Sequence, residues 1–398
     1  MGQAKTDGIE CEERGWNDSN NKFVCSNCVK DDFLKNIVLS KPQKSKCSYC
    51  GQQCAAPLEV LIPVVLDAIY YCFNDPLQSG KSNVDGDEPV LLETSEVLEE
   101  LDFVTASQDL LTDVSTAIHI EEWIPAAQGH WSTFHEHEIL GNSWNEFERI
   151  VKYVSRFNFA SLTDDDEDHH EKFAPKYFLP RLGHLVKSKK MTRTISKDTN
   201  FYRARVQNKN DTWAINCESL GAPPPHLVSA GRMNPEGIPY LYLALEEKTV
   251  LAETLSEHST AVAVATFRAA RELKVIDLTN PPQIPSIFDK VRHQEREELL
   301  FLNSFVNNIN KHVDHASKQI DYIPTQIVSE YFSQVFLLNN KPDDKADGLI
   351  YKSAKCSGGV NLVLFPRVKS RSQNSFDVVC CAEVNLKIVS AVTLKFHF

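Results

Sequence analysis

GRMNPEGIPYLYLALEEKTVLAET, residues 231–254, is the stretch that decides the fold of the second half of the chain. Its first residues, with two glycines, an asparagine and a proline, read as a tight loop. Tyr240 to Leu245 is a short apolar strand. From Glu247 the apolar residues Val250, Leu251, Ala252 and Leu255 recur at helical spacing. A loop, a strand and a helix in such quick succession belong to a domain that mixes sheet and helix. Two charges stand beside the apolar parts: Arg232 ahead of the strand and Glu253 inside the helix. A carboxylate among apolar helical neighbours needs a reason beyond solubility.

Working outward, the same texture continues from about residue 198 to the end. Strands are expected at Asn200–Val206, Tyr240–Leu245, Val262–Phe267, Leu273–Leu278, Gly348–Lys352, Val360–Phe365 and Val378–Ile388. Helices are expected near Glu247–Glu257, Glu295–Val313 and Thr325–Leu337. The reading is an α+β domain over 198–398. Within it, Arg203 and Arg205 lie two apart on one strand and so share a face.

The first half differs. Leu58, Leu61, Ile62, Val65 and Ile69 repeat at helical spacing. Ser143 and Glu146 read as a capping box ahead of a stripe of Trp144, Phe147, Val151 and Val154. This makes residues 56–185 an all-α domain. The acidic stretch between Gly80 and Glu100 reads as a loop. The run LTDDDEDHHEKF (Leu162–Phe173) reads as a solvated linker, and a domain boundary is expected near residues 165–195.

Six of the eleven cysteines fall between Cys11 and Cys54. Cys25-x2-Cys28 and Cys47-x2-Cys50 are two knuckles at the separation expected of a four-cysteine zinc site. Each knuckle puts two thiolates on one turn, and four thiolates leave no open position, so the site is expected to be structural. Cys54 or Cys11 is an alternative for one ligand. Residues 1–55 form this zinc-knuckle module.

The chain has 398 residues, 42% of them hydrophobic and 24% charged, with a net charge of −12. A chain this acidic is poorly suited to nucleic acid or to an anionic membrane. No secretory leader and no apolar run long enough to span a bilayer is visible, so a cytoplasmic protein is expected. There is no GxGxxG or GxxxxGK[ST] loop, which removes the usual Rossmann and P-loop routes to a nucleotide.

Taken together, Tyr202-Arg203, the loop and strand GRMNPEGIPYLYLA, Glu253 in VLAET, and Ser353 in DGLIYKS followed by GGVNLVLF resemble the RES family, named for its arginine, glutamate and serine. The order and context agree from about residue 198 to 366. The first half resembles the HEPN/RES amino-terminal domain. The resemblance implies a mixed-sheet catalytic domain like that of the ADP-ribosyltransferases, and NAD as substrate. It implies a toxin or defence-type enzyme that cleaves the nicotinamide–ribose bond by hydrolysis or phosphorolysis; the alternative is protein ADP-ribosylation. It also implies a protein inhibitor or antitoxin as partner.

On this reading Glu253, Arg203 and Ser353 are the catalytic residues. Tyr202, Arg205, Arg232, Asn234, Tyr242, Tyr351 and Asn361 bind substrate, with Arg203 ahead of Arg232 for the pyrophosphate and Arg205 sharing or replacing the part of Arg203. Ser353 has no histidine placed to activate it and is not read as a nucleophile. Arg181 and His184 are closer together than the arginine–histidine pair of active HEPN ribonucleases, so no nuclease activity is expected. A reading from another class makes the knuckle and helical domain a binding or sensing module attached to an inert RES domain.

Overall fold

The computed structural model describes residues 14–19, 21–79, 90–103, 107–126, 134–162, 171–207, 211, 213–256, 261–311, 317–339, 341, 344–368, 374–376 and 378–388. Cys11 and residues 80–89 and 163–170, which belong to the expected acidic loop and linker, lie outside them. The chain divides into two compact units, residues 1–138 with 283–300, and residues 139–282 with 301–398.

The first unit begins with a small antiparallel sheet, in which Gln53–Pro57 lies between Phe23–Val24 and Ser45–Lys46. The Asp31 carboxylate accepts from the backbone of Phe33 and Leu34 and so starts helix α1 (Asp32–Ser40). Helices α2 (Ile62–Cys72), α3 (Thr94–Glu100) and α4 (Gln108–Ala117) follow, with a second small sheet of Phe73–Asn74, Glu122–Pro125 and Leu92–Glu93. Leu34, Val38, Ile62, Val65, Ile69, Val97, Leu98 and Trp123 share one buried core. The helical spacing in this half is therefore real, with short strands added to it. Helix α3 corrects the expected loop between Gly80 and Glu100. Its box is built from Glu93 and Glu96 rather than from a serine or threonine, which hid the start.

A buried carboxylate closes this unit. Glu297 accepts from the Tyr71 hydroxyl at 2.8 Å and from the ring and backbone nitrogens of His137. Burial pushes Glu297 up, but the hydrogen bonds from His137 and Tyr71 prevail and hold it near 2. The same bond raises His137 above its ordinary 6.5. The Glu297 contribution is complete above its ordinary 4.5 and is lost as pH falls towards 2. The His137 contribution is complete below 6.5 and is lost as pH rises through its raised value. The melting-temperature gap between parent and Glu297→Gln should therefore be widest between about pH 4.5 and 6.5 and narrow on both sides. A gap constant from pH 3 to 9 would contradict this.

Helix α5 (Glu136–Tyr153) belongs to the second unit from Ile139 onward and buries Trp144, Phe147 and Val151. It starts upstream of Ser143, which corrects the expected capping box. The Ser143 hydroxyl lies mid-helix, donates to the Ile139 carbonyl at 2.7 Å and accepts from the Phe173 backbone at 2.7 Å. Val154, past the end of the helix, is exposed. Helix α6 (Pro175–Ser188) carries Arg181 and His184.

An eight-stranded sheet is built from β1 (Thr192–Ile195), β2 (Asn200–Gln207), β3 (Leu241–Ala244), β4 (Ala261–Ala269), β5 (Leu273–Leu278), β6 (Gly348–Lys352), β7 (Val360–Leu364) and β8 (Val379–Ile388). Its order is β8-β4-β2-β3-β7-β6-β5-β1. Only β5 and β6 run parallel, so the sheet is mixed and the fold is α+β. Strand β1 is the addition to the expected set. Its sequence, TRTI, has three exposed polar residues and no apolar alternation to announce it. Strands β2 and β3 meet at a single pair, Tyr202 with Ala244, so the sheet opens between them.

One face packs Phe201, Leu243, Ala265, Ile350 and Leu362. The other receives helix α7 (Glu247–Thr254), whose Leu251 packs with Val262 and Val264. A disulfide joins Cys217 to Cys381 on β8. None of the described helices is long and apolar enough to cross a membrane.

Candidate active site and metal centre

Paired residues in a sheet point to the same side. The pairs Tyr202–Ala244, Ala244–Asn361 and Asn361–Tyr351 therefore put Tyr202, Tyr242, Asn361 and Tyr351 on the face that α7 covers. Arg203 and Arg205 take the opposite face. Glu253, near the end of α7, is half-buried over the site face. The Ser353 hydroxyl, just past β6, donates to Glu253 Oε1 at 2.6 Å, and the Asn361 amide donates to the same oxygen at 3.0 Å. The backbone N–H groups of Lys355 and Cys356 in turn donate to the Ser353 hydroxyl, at 3.2 and 3.0 Å. The carboxylate is thus fixed through one oxygen. No described residue donates to the other.

Glu253 lines a cavity of about 250 Å³ with Arg232, Tyr242, Lys318, Tyr322, Tyr351, Ala354 and Lys355. Three cations and one carboxylate face this space, and three tyrosines wall it. The loop 231–238 is held from within. The Tyr242 hydroxyl donates to Asn234 Oδ1 at 2.7 Å and accepts from the Met233 backbone at 3.0 Å. The Asn234 amide donates to the carbonyls of Ser229, Pro235 and Ile238. A Cβ at Gly231 would run into Asn234 and the Tyr242 hydroxyl, so only glycine fits there. Thr325 and Gln326 tie down the carbonyls of Arg232 and Gly231 at 2.6 and 2.7 Å. Burial pushes the phenols of Tyr242 and Tyr351 up, so both stay protonated.

The expected residues fall into three groups. Glu253, Tyr242, Tyr351 and Arg232 line the cavity; Ser353, Asn361 and Asn234 support those that do. Arg203 stands further back. It is half-buried and donates to the Tyr242 carbonyl at 2.9 Å, and burial lowers its guanidinium to about 10, so it remains a cation. Tyr202 and Arg205 do not line the cavity: Arg205 is exposed, 4.4 Å from the Trp213 ring centroid, and donates to the Ser219 carbonyl. The sequence reading missed Lys318, Tyr322 and Lys355. Lys355 follows closely on Ser353 and was within reach of it. Lys318 and Tyr322 come from a separate helical turn that nothing local marks.

In the first unit, the thiols of Cys25, Cys28, Cys47 and Cys50 lie within 4.8 Å of one another. Sγ–Sγ distances are 3.7 Å for Cys25–Cys28, 3.4 Å for Cys25–Cys50 and 3.7 Å for Cys28–Cys47. Bonds of about 2.3 Å to a tetrahedral zinc would set thiolates roughly 3.8 Å apart, so the set fits a metal ion of that kind. Burial opposes ionisation of Cys47, but backbone N–H groups of Tyr49 and Cys50 outweigh it and lower the thiol to about 7. Cys54 is exposed and lies outside the four.

Residues 201–378 match the RES domain and residues 40–165 match HEPN/RES N-terminal domain 1. No curated protein matches the chain. The chain carries a RES domain preceded by a HEPN/RES N-terminal domain.

Proposed function

We propose that the chain consumes NAD by breaking the bond between nicotinamide and ribose, as a glycohydrolase or phosphorylase. The observation that carries this reading is the Glu253 carboxylate, fixed through Oε1 at the wall of a cavity that also presents Arg232, Lys318 and Lys355. As the glycosidic bond breaks, its electron pair leaves with nicotinamide, which departs neutral and needs no acid. The ribose is left with oxocarbenium character. A carboxylate that accepts from the ribose hydroxyls stabilises that charge more in the transition state than in the ground state. Water or phosphate then attacks the anomeric carbon and loses a proton, which Glu253 accepts.

Arginine suits the pyrophosphate because its planar fork gives bidentate contacts and its charge is permanent. Arg232 takes that part here, because it lines the cavity. Arg203 serves as the brace of Tyr242. Tyr242 and Tyr351 shape the nicotinamide pocket. Zinc at the four cysteines would stabilise the small amino-terminal sheet and takes no part in the chemistry. The proposal includes a cytoplasmic location, where the NAD pool is, and a protein inhibitor that restrains the activity. Incubation of the purified chain with NAD, followed by product identification, tests it. Free ADP-ribose marks hydrolysis, ADP-ribose 1″-phosphate marks phosphorolysis, and labelled protein marks transfer.

A further inference from the structure

KSKKMTR (Lys187–Arg193) joins the end of α6 to β1 with four cations and no acid. Lys187, Lys190 and Arg193 of this stretch, with Lys274 of β5, line a cavity of about 360 Å³. Among the described residues no carboxylate lines it. The cavity belongs to the second unit and shares no residue with the one that Glu253 lines.

Each cation has a local reason. Lys187 donates to the Leu337 carbonyl at 3.2 Å, and Lys274 pairs with Asp344 at 2.9 Å. Lysines at the end of α6 suit the helix dipole. A charge such as Arg193 guards an edge strand against indiscriminate pairing. None of these reasons gathers four cations at one cavity, where they repel one another. An anion relieves that repulsion. Lys190 and Arg193 are exposed and have no acidic partner among the described residues.

The strand shows what form the anion takes. Consecutive residues of a strand point to opposite faces. Thr192 and Thr194, paired with Ile276 and Lys274, take one face of the sheet; Arg193, paired with Val275, takes the other. All three line the cavity, which therefore runs along the edge of β1. That edge is open. Strand β1 ends the sheet order and pairs with β5 alone, and none of its four residues makes a backbone bond outside that ladder among the described residues. Alternate residues of such an edge direct their N–H and C=O groups away from the sheet. Phe336 and Leu338, both buried, add an apolar part to the lining.

We propose that the edge of β1 docks an extended acidic peptide of a partner protein, which adds to the sheet as a further strand. The peptide backbone pairs with the outward groups of β1, and its carboxylates meet Lys187, Lys190, Arg193 and Lys274. An apolar side chain between the acids packs on Phe336 and Leu338. The cations admit an acidic strand and repel a basic one, the edge of another copy of this chain included. The proposal rests neither on the NAD reading nor on the metal.

Fluorescence anisotropy on the full chain tests it, with a labelled octapeptide of alternating glutamate and valine, capped at both ends. The parent should bind this peptide. Lys190→Glu and Arg193→Glu together should weaken binding about tenfold or more, with an unchanged melting temperature because both side chains are exposed. A second peptide with proline in place of each valine keeps the charge but loses half its backbone donors, and should bind about tenfold more weakly. Hydrogen exchange at Thr192–Ile195 should slow when the first peptide is bound. No binding by the parent, or binding untouched by the charge reversal, overturns the proposal. Equal binding of the two peptides, with no slowing in β1, makes the cavity a simple anion site and overturns strand addition.

Discussion

Glu253→Gln should lower kcat for nicotinamide release from NAD by about 100-fold or more while leaving the melting temperature nearly unchanged. The size follows from what removing one preorganised charge-stabilising group costs, typically about 10²–10³ in kcat. The fold is spared because glutamine has the shape of glutamate. Its amide oxygen still accepts from the Ser353 hydroxyl and the Asn361 amide at the position of Oε1. What disappears is the negative charge that faces the developing ribosyl cation. KM should change less than kcat, since the ground-state ribose hydroxyls can still hydrogen-bond to an amide. A kcat equal to that of the parent would remove Glu253 from the mechanism. A large loss of thermal stability would instead assign it a structural part, with Ser353 and Asn361 as its partners.

The second large effect concerns stability. The purified chain should carry about one zinc, and Cys47→Ser should lose it together with the cooperative melting of the first unit. Structural zinc contributes about 10–16 kcal/mol of apparent binding energy in small zinc-dependent domains. The sheet that holds the four cysteines is made of strands of two, two and five residues. Val24, Ala55 and Ala56 of this sheet are buried in the core of the first unit, so loss of the metal should be felt throughout that core. Cys47 is the informative ligand because it is buried and its thiol is lowered to about 7, towards the thiolate that zinc requires. Cys54→Ser should keep the metal, because Cys54 is exposed and outside the cluster. A parent chain that contains no metal and melts identically with and without chelator would refute this.

Much of the second unit was legible in the sequence because its strands are apolar and short, and Gly, Pro and Asn punctuate them. The seven expected strands and the helix at Glu247 all appear, with ends shifted by a few residues. The misses have physical causes. Three of the four residues of strand β1 are polar because it lies at the sheet edge, and only Ile195 reaches the core. Helix α5 begins upstream of its expected start because Ser143, a good cap in isolation, is held mid-helix by bonding the Ile139 carbonyl. In the site, Glu253, Ser353 and Asn361 could be read from their local contexts. The relation of Arg203 to Arg232 could not. Side-chain alternation along β2 says that Arg203 and Arg205 share a face, but the face itself follows from the pairing with β3 and β7, a long-range fact. Lys318 and Tyr322 were invisible for the same reason: a cavity wall recruits residues by proximity in space.

Incubation of the full-length chain with NAD, with nicotinamide and the ribose-containing product identified by mass, tests the central claim most directly. The account predicts that nicotinamide is released by the parent and largely lost in Glu253→Gln, with ADP-ribose or its 1″-phosphate as the second product. No release of nicotinamide by the folded, metal-loaded parent, with or without phosphate, would contradict it.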